Sequence, residues 1–110
     1  MLTWKIEEGT NIMIYIGIYH QGNDLLIGAC DEHLLGKKYK DGKLRLHVDE
    51  NFYGSKKISK ELLKKYLQDA TIANLVGESC VKIAINMGLV DPSCVIRICG
   101  VPHAQMVRML

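Results

Sequence analysis

The spacing of apolar positions changes along this chain, and each spacing predicts a type of element. Residues 12–19 form one apolar run and residues 25–30 form a second, separated by the polar segment 20–24. Two short runs of this kind around a polar turn are typical of a β-hairpin. An Asp-Gly turn at 41–42 then precedes a clean alternation. It predicts a third strand with Leu44, Leu46 and Val48 inward and Arg45 and His47 outward.

Two later segments show the four-residue spacing of helices. Ser59 is a suitable N-cap for a helix over 60–69, where Leu and Tyr side chains recur on one face. Over 78–87 only a narrow stripe is polar, so that helix must be buried on most sides, and Gly88 ends it. The segment 70–77 between them fits either a continued helix or an extended connector.

The segment 31–36 carries two adjacent carboxylates, Asp31 and Glu32. It begins with an acid suited to capping and ends in a glycine, which predicts a single short helical turn. Two carboxylates could hold Mg²⁺ with the phosphates of a nucleotide, but neighbouring side chains diverge on a helix. We therefore favour capping as the role of Asp31.

The last sixteen residues place two apolar runs around a corner at 100–104. The pattern predicts one strand into the corner and a second strand or extension out of it. Pro102 restricts the backbone, so His103 and Gln105 would be displayed at little ordering cost and could contact a base edge or a phosphate. We name Gly100, Pro102, His103 and Gln105 the recognition corner. The alternative, a rigid turn that the fold requires, stays open.

Together these elements predict an α+β fold. The elements include two main helices and about four to six strands. With 110 residues, 48% hydrophobic and 24% charged, the composition is that of one globular domain, 1–110. The apolar run at 12–19 is far shorter than the roughly twenty residues of a membrane span, and no basic leader with a cleavage site precedes it. We therefore expect a cytoplasmic protein with no membrane partner.

The charge is concentrated in the middle of the chain. Residues 37–65 hold nine Lys and one Arg against four acids, or +6, which leaves −4 elsewhere in a chain of net charge +2. Such asymmetry indicates a polyanionic partner, and Tyr39, Phe52 and Tyr53, the last two in a predicted loop, could stack on unpaired bases. A solvated lysine-rich face is the alternative. The basic candidates are Lys37, Lys38, Lys40, Lys43, Arg45, Lys56, Lys57, Lys60 and Lys64.

The cysteines form no Cys-x-x-Cys pair and lie in apolar stretches, which is typical of reduced structural thiols. They are Cys30, Cys80, Cys94 and Cys99. Cys94, Cys99 and His103, closed by Cys30 or His33, would be a metal site, but an extended segment separates the first two by about 16 Å at ~3.3 Å per residue. One zinc ion with bonds of about 2.3 Å cannot span that distance. We predict no metal and no cofactor.

A Cys–His nucleophile pair is the other chemical hypothesis. Cys99 with His103, or Cys30 with His33, would need hydrogen-bond contact and a third orienting group. The sequence has no glycine-rich elbow that would form an oxyanion hole. A buried cysteine and a surface histidine are the simpler interpretation, and we name no catalytic residue.

Several segments jointly resemble a known family in their order and spacing. They are 22–32, 35–36, 51–54, 73–78, 88–91, 95–97 and 100–105, and the resemblance extends from about Met13 to Arg108. The chain resembles the archaeal family named domain of unknown function 424. The resemblance implies a two-layer α/β sandwich, with two main helices on a mixed sheet of about four to six strands, in a cytoplasmic archaeal setting with members associated with translation. It implies no activity, and Cys80, Cys94 and Cys99 depart from the family's pattern.

Three hypotheses on function follow. The first is a nonenzymatic RNA- or ribonucleoprotein-binding module of the translation apparatus, which recognises shape or backbone with a strong salt dependence. The second is a small Cys/His-dependent or metal-dependent enzyme that uses Cys30, Cys99, His103 and Asp31. The third is a structural adaptor that acts through protein contacts, as a homodimer joined at the edge 107–110.

Overall fold

A computed structural model describes residues 12–108. Its strands are β1 Met13–Gln21, β2 Asp24–Asp31, β3 Lys38–Asp41, β4 Leu44–His47, β5 Lys56–Ser59, β6 Ile72–Val76, β7 Ile96–Ile98 and β8 Val101–Val107. Its helices are α1 Glu50–Tyr53, α2 Lys60–Asp69 and α3 Glu78–Asn86, with 3₁₀ turns at Glu32–Leu34 and Pro92–Cys94.

Six of the strands form one mixed sheet in the order β5-β1-β2-β6-β8-β7. β2 and β6 are parallel neighbours, and the other neighbours are antiparallel. β5 and β6 therefore point the same way, and α2 connects them across one face of the sheet. α3 connects β6 to β7 in the same manner, so both main helices lie on that face. The predicted α+β class, with two main helices on a mixed sheet, is confirmed.

The main core lies between this helix layer and the sheet. Alternate residues of the strands point into it, since successive strand side chains face opposite sides. Ile14, Ile27 and Leu75 from the sheet and Leu63 and Leu67 from α2 are fully buried there. The predicted Ser59 cap is confirmed, because its Oγ accepts a hydrogen bond from the Leu62 backbone N at 3.2 Å.

The opposite face of the sheet is covered at one end by α1 and by the two-stranded β3–β4 sheet. A second apolar cluster forms there, with Cys30, Leu46, Val48, Tyr53 and Val76 buried. Phe52 of this layer lies so close to the sheet that the strands carry glycine beneath it. A Cβ at position 17 or 28 would collide with the Phe52 carbonyl oxygen or ring.

The structure resolves the open question at 70–77, because residues 72–76 form β6 in the middle of the sheet. The Asp-Gly turn before β4 is confirmed, and it places Gly42 at a φ of +62°. Other predictions are wrong in detail. Leu44 is 47% exposed rather than inward, and the loop predicted at 49–55 contains α1, capped by Asp49.

Asp31 also acts differently from the prediction. A short turn follows it, as expected, but its side chain makes no hydrogen bond to that turn. The carboxylate instead accepts hydrogen bonds from the backbone N of Ser79 and of Cys80, both at 3.0 Å. Asp31 therefore caps α3, a helix that lies far away in the sequence. Within residues 12–108, no helix is both long and apolar enough to cross a membrane.

Candidate nucleic-acid interface

The β3–β4 hairpin gathers basic side chains on one surface. Its register pairs Lys38 with His47 and Lys40 with Arg45. Directly opposite residues share a face, and so do residues two apart on one strand. All four side chains therefore project from the same outer face, and all four residues are exposed. We call Lys38, Lys40, Arg45 and His47 the basic hairpin face.

The other face of the hairpin attaches it to the body of the protein. Leu46 is buried in the second apolar cluster, and Tyr39 packs against that cluster. Asp41 Oδ2 accepts a hydrogen bond from the Cys99 backbone N at 3.3 Å, and Cys99 Sγ donates to the Lys40 carbonyl at 3.2 Å. The hairpin is therefore fixed on its inner side to the β7–β8 turn, while its outer side faces solvent.

The cations of the basic hairpin face have no carboxylate partner within the described part of the chain. Among residues 12–108 the ion pairs are Lys57 with Glu32 at 2.9 Å and Arg97 with Glu78 at 2.8 Å. Lys40 and Arg45 lie opposite each other, and like charges in that position destabilise a strand pair. Hairpin residues also line a shallow cavity of about 340 Å³. The arrangement can accept an anion that compensates the repulsion.

Of the other predicted lysines, Lys37 directly precedes β3 and Lys43 lies in the β3–β4 turn, whereas those of β5 and α2 lie away from the hairpin. Lys56 donates to the Tyr66 hydroxyl at 2.9 Å, and Lys57 is paired with Glu32, both from β5. Lys60 and Lys64 line a groove between α2 and α3. The hairpin contacts β7, five strand positions from β5, which is about 24 Å at ~4.8 Å per strand. The basic residues of 37–65 therefore do not form one patch, because the fold separates the lysines of β5 and α2 from those of the hairpin.

The recognition corner is a β-hairpin turn followed by a strand. Cys99 and Gly100 form the turn, with φ of 53° and 80°, and both are exposed. Pro102 and His103 already belong to β8, where Pro102 is buried. Burial lowers the pKa of His103. The prediction of two strands around a turn is confirmed. The turn lies at 99–100, however, rather than at the predicted 100–104.

Gln105 is exposed on β8, and its amide N donates to Asn74 Oδ1 at 2.8 Å. His103 and Gln105 line a cavity of about 250 Å³. Both point to the same side of the sheet as the hairpin, because they alternate with the buried Ala104 and Met106 of the helix side. His103 and Gln105 therefore lie on the same side of the sheet as the basic hairpin face, where Gln105 is exposed and His103 is half-buried.

The aromatic side chains proposed for base stacking are already engaged. Phe52 stacks on Tyr19 with ring centroids 5.3 Å apart, and it forms a T-shaped pair with Tyr53 whose ring centroids are 4.8 Å apart. Tyr53 is only 6% exposed, and Tyr39 packs on the inner side of the hairpin. The prediction that Tyr53 is available to unpaired bases is wrong, because the second apolar cluster requires it.

The cysteine hypotheses find little support in the geometry. Cys30 is buried, and that burial, with the nearby charge of Asp31, raises its pKa to about 12. The pKa of Cys80 is raised well above the usual value for the same reasons. Neither thiol forms the thiolate that a nucleophile needs at neutral pH. Asp31, the proposed acid, is occupied by its two hydrogen bonds to α3.

The exposed cysteines are separated from each other by β7. Cys94 precedes the strand and Cys99 follows it, while His103 pairs with Ile96 at the other end. Within residues 12–108 no three His, Cys, Asp or Glu side chains are grouped so that they could hold a metal ion. The proposed dimer edge lies partly outside the described residues. Its Val107 pairs with Ile72 and is 65% exposed, so dimerisation stays a prediction.

Thiol labelling should separate the cysteines into two classes. We expect a thiol reagent at pH 8 to modify the exposed Cys94 and Cys99 rapidly in the folded protein. Cys30 and Cys80 should react only after denaturation, because both are buried and burial raises the pKa of both thiols. For Cys30, with a pKa of about 12, the thiolate fraction at that pH is about 10⁻⁴. Mass spectrometry of native and denatured samples would count the labels. Rapid native labelling of a third thiol would contradict the described packing.

Two functional features escaped the sequence analysis. The opposition of Lys40 and Arg45 depends on the hairpin register, which a two-residue turn at Gly42 and Lys43 would have predicted. The role of Asp31 had a weaker signal. α3 begins after Gly77, which offers no side-chain acceptor, so the helix needs a cap from elsewhere in the fold.

The fold and the hairpin together define a class of protein, a small α+β domain that carries a basic two-stranded ribbon on one face of its sheet. The chain belongs to the family described as "Protein of unknown function (DUF424)", whose sequence model matches residues 19–109. The resemblance found in the sequence is therefore confirmed.

A solved structure shows the same fold. It is the crystal structure of an uncharacterized conserved protein from Methanopyrus kandleri, with a TM-score of 0.69 and 24% sequence identity. The match covers 89% of this chain and 96% of that one. No curated protein matches this chain.

Proposed function

We propose that the protein is a nonenzymatic module that binds RNA or a ribonucleoprotein through phosphate groups, with the basic hairpin face as its contact surface. The observation that carries the proposal is the cross-strand pair of Lys40 and Arg45, flanked by Lys38 and His47, with no carboxylate partner within residues 12–108. A phosphate backbone supplies negative charges in a row, which would neutralise this face.

The type of side chain supports contact with phosphate rather than with base edges. Lys acts as a point charge, whereas bidentate reading of a base is a property of Arg, and this face has one Arg. The hairpin also lies flat on the protein, because Leu46 and Tyr39 hold its inner side. It therefore cannot insert deeply into a groove. Binding of this kind is insensitive to sequence and weakens steeply with salt.

The β7–β8 turn offers a second contact beside the hairpin. Cys99 is hydrogen-bonded to both Lys40 and Asp41, so the exposed Gly100 lies next to the basic surface. His103 and Gln105 face the same side of the sheet. We propose that this edge extends the binding surface, and that an association with translation, which the family resemblance implies, reflects an RNA partner.

Charge reversal at the hairpin tests the proposal. Lys40→Glu is expected to weaken binding of total cellular RNA at least about tenfold, because it removes one phosphate contact and adds a repulsive charge. The same substitution should stabilise the folded protein by about 0.2–1 kcal/mol, because the new carboxylate faces Arg45. Filter binding at low salt and thermal unfolding would measure the two effects.

Lys64→Glu is the matched control, since it makes the same charge change on α2 in the other layer. It should leave RNA affinity within about twofold of the unmodified protein, because its contribution is only long-range and is screened over ~10 Å. Equal losses in the two variants would mean that net charge, and not the hairpin, governs binding. Absence of RNA binding by the unmodified protein at low salt would refute the proposed function.

A further inference from the structure

The charges of the basic hairpin face are held in a fixed array. The backbone N of Gly36 bonds to the Val48 carbonyl at 2.7 Å, and that of Val48 bonds to the Lys37 carbonyl at 2.9 Å. These bonds close the open end of the hairpin, while Cys99 fixes β3 near the turn. The backbone positions from which the cations project are therefore set before any ligand binds.

The dimensions of this array follow from the strand geometry. Each strand contributes two outward side chains to this face, at positions two residues apart. Lys38 and Lys40 are separated by about 7 Å along β3, and Lys40 and Arg45 by about 5 Å across the pair. The result is two short parallel rows on the outer side of the hairpin, Lys38 with Lys40 on β3 and His47 with Arg45 on β4.

Among residues 12–108, the aromatic rings nearest these rows pack against other side chains, which leaves a single strand of RNA little surface for stacking. Proteins that bind unpaired strands combine a basic groove with aromatic rings on which successive bases stack. The rings closest in sequence to the hairpin are already packed, as Phe52 is against Tyr19 and Tyr39 is against the second apolar cluster. A flexible strand would also lose conformational freedom on binding without any compensating contact to its bases.

We infer that the RNA bound by the basic hairpin face is double-helical, on the basis of the fixed charge rows and the packed aromatic rings beside them. The inference rests on the proposed function. A duplex presents its phosphates at set spacings, and the hairpin backbone is also fixed. Neither the RNA nor the protein backbone therefore loses much conformational freedom on binding. Its bases are already stacked on each other and need no aromatic partner. Recognition is by helical shape and backbone.

The experiment compares two probes by fluorescence anisotropy. One is an RNA duplex of about 20 base pairs, and the other is an unstructured single-stranded RNA with about the same number of phosphates. The intact protein should bind the duplex at least about tenfold more tightly at about 50 mM salt. Raising the salt about fourfold should weaken duplex binding about 40-fold if three phosphates are neutralised, at a slope of about −0.9 each.

Two double variants test whether the preference for duplex over single-stranded RNA depends on the basic hairpin face. Lys40→Glu combined with Arg45→Glu should reduce duplex affinity to that of the single strand, whereas Lys60→Glu combined with Lys64→Glu should keep the preference. Circular dichroism would show that each variant is folded. Equal or tighter binding of the single strand by the intact protein overturns the inference and leaves RNA binding itself intact. Failure to bind either probe overturns the proposed function and the inference with it.

Discussion

Replacement of Asp31 by alanine is expected to lower the free energy of unfolding by about 2–4 kcal/mol. Asp31 is 4% exposed, and its carboxylate accepts hydrogen bonds from the backbone N–H groups of Ser79 and Cys80. Loss of a helix cap costs about 0.5–2 kcal/mol, and a buried N–H left without an acceptor costs about 1–3 kcal/mol. The corresponding decrease in the melting temperature is about 8–16 °C, which calorimetry and denaturant titration would measure.

Asp91→Ala is the matched control for this prediction. Asp91 also accepts a hydrogen bond from a backbone N, that of Ser93 at 2.9 Å, but it caps a short turn in an exposed position. Water can replace that acceptor, so we expect a loss of at most about 1 kcal/mol. If the two variants were equally stable, Asp31 would not connect β2 to α3 in the way that the structure describes.

Gly17→Ala is expected to destabilise the protein by about 2–4 kcal/mol. A Cβ at this position would collide with the carbonyl oxygen of Phe52 and lie 2.8 Å from the Tyr19 hydroxyl. That hydroxyl donates to the same carbonyl at 2.7 Å. The added methyl group must therefore displace α1 and break this hydrogen bond, which adds about 1 kcal/mol to an overpacking cost of about 1–3 kcal/mol. Equilibrium unfolding in denaturant would give the difference.

Gly22→Ala distinguishes this collision from a general effect of glycine replacement. Gly22 lies in the β1–β2 turn at a φ of +60°, and a Cβ at this position would meet no heavy atom within 4 Å. Its replacement costs only the left-handed backbone conformation, about 1–2 kcal/mol. A loss for Gly17→Ala no greater than that for Gly22→Ala would show that the contact between Phe52 and β1 is not close.

The local elements were predictable because local chemistry determines them. Ser59 and the four-residue spacing after it predicted α2, and the narrow polar stripe of residues 78–87 predicted α3. The two apolar runs around Gly22 predicted the β1–β2 hairpin. Each of these signals depends on residues close in sequence, so no knowledge of the rest of the fold was needed.

The segment 70–77 shows where local information ends. Its sequence fits a helix or an extended segment, and it forms a central strand because β2 and β8 lie on either side of it. Those partners come from distant parts of the chain. Propensity for a strand depends strongly on such neighbours, which a local pattern does not contain.

The candidate site also has one part that is local in the sequence and another that depends on the fold. The excess of lysine over residues 37–65 is a property of the sequence, and the charge balance alone indicates a polyanionic partner. The fold places Lys56 on the edge strand β5, and Lys60 and Lys64 on α2 in the opposite layer from the hairpin. It also turns Phe52 and Tyr53 inward, since both complete the second apolar cluster.

By itself, the sequence determined the α+β class, the two main helices, the β1–β2 hairpin and the presence of unbalanced positive charge, since spacing, capping and composition are local quantities. Only the tertiary structure decided that Asp31 caps a distant helix and that the pair of Lys40 and Arg45, which the local β3–β4 turn brings together, has no carboxylate partner among the described residues. The physical reason is that strand register and sheet order determine which charges become neighbours. Both are set by burial of apolar surface across the whole domain.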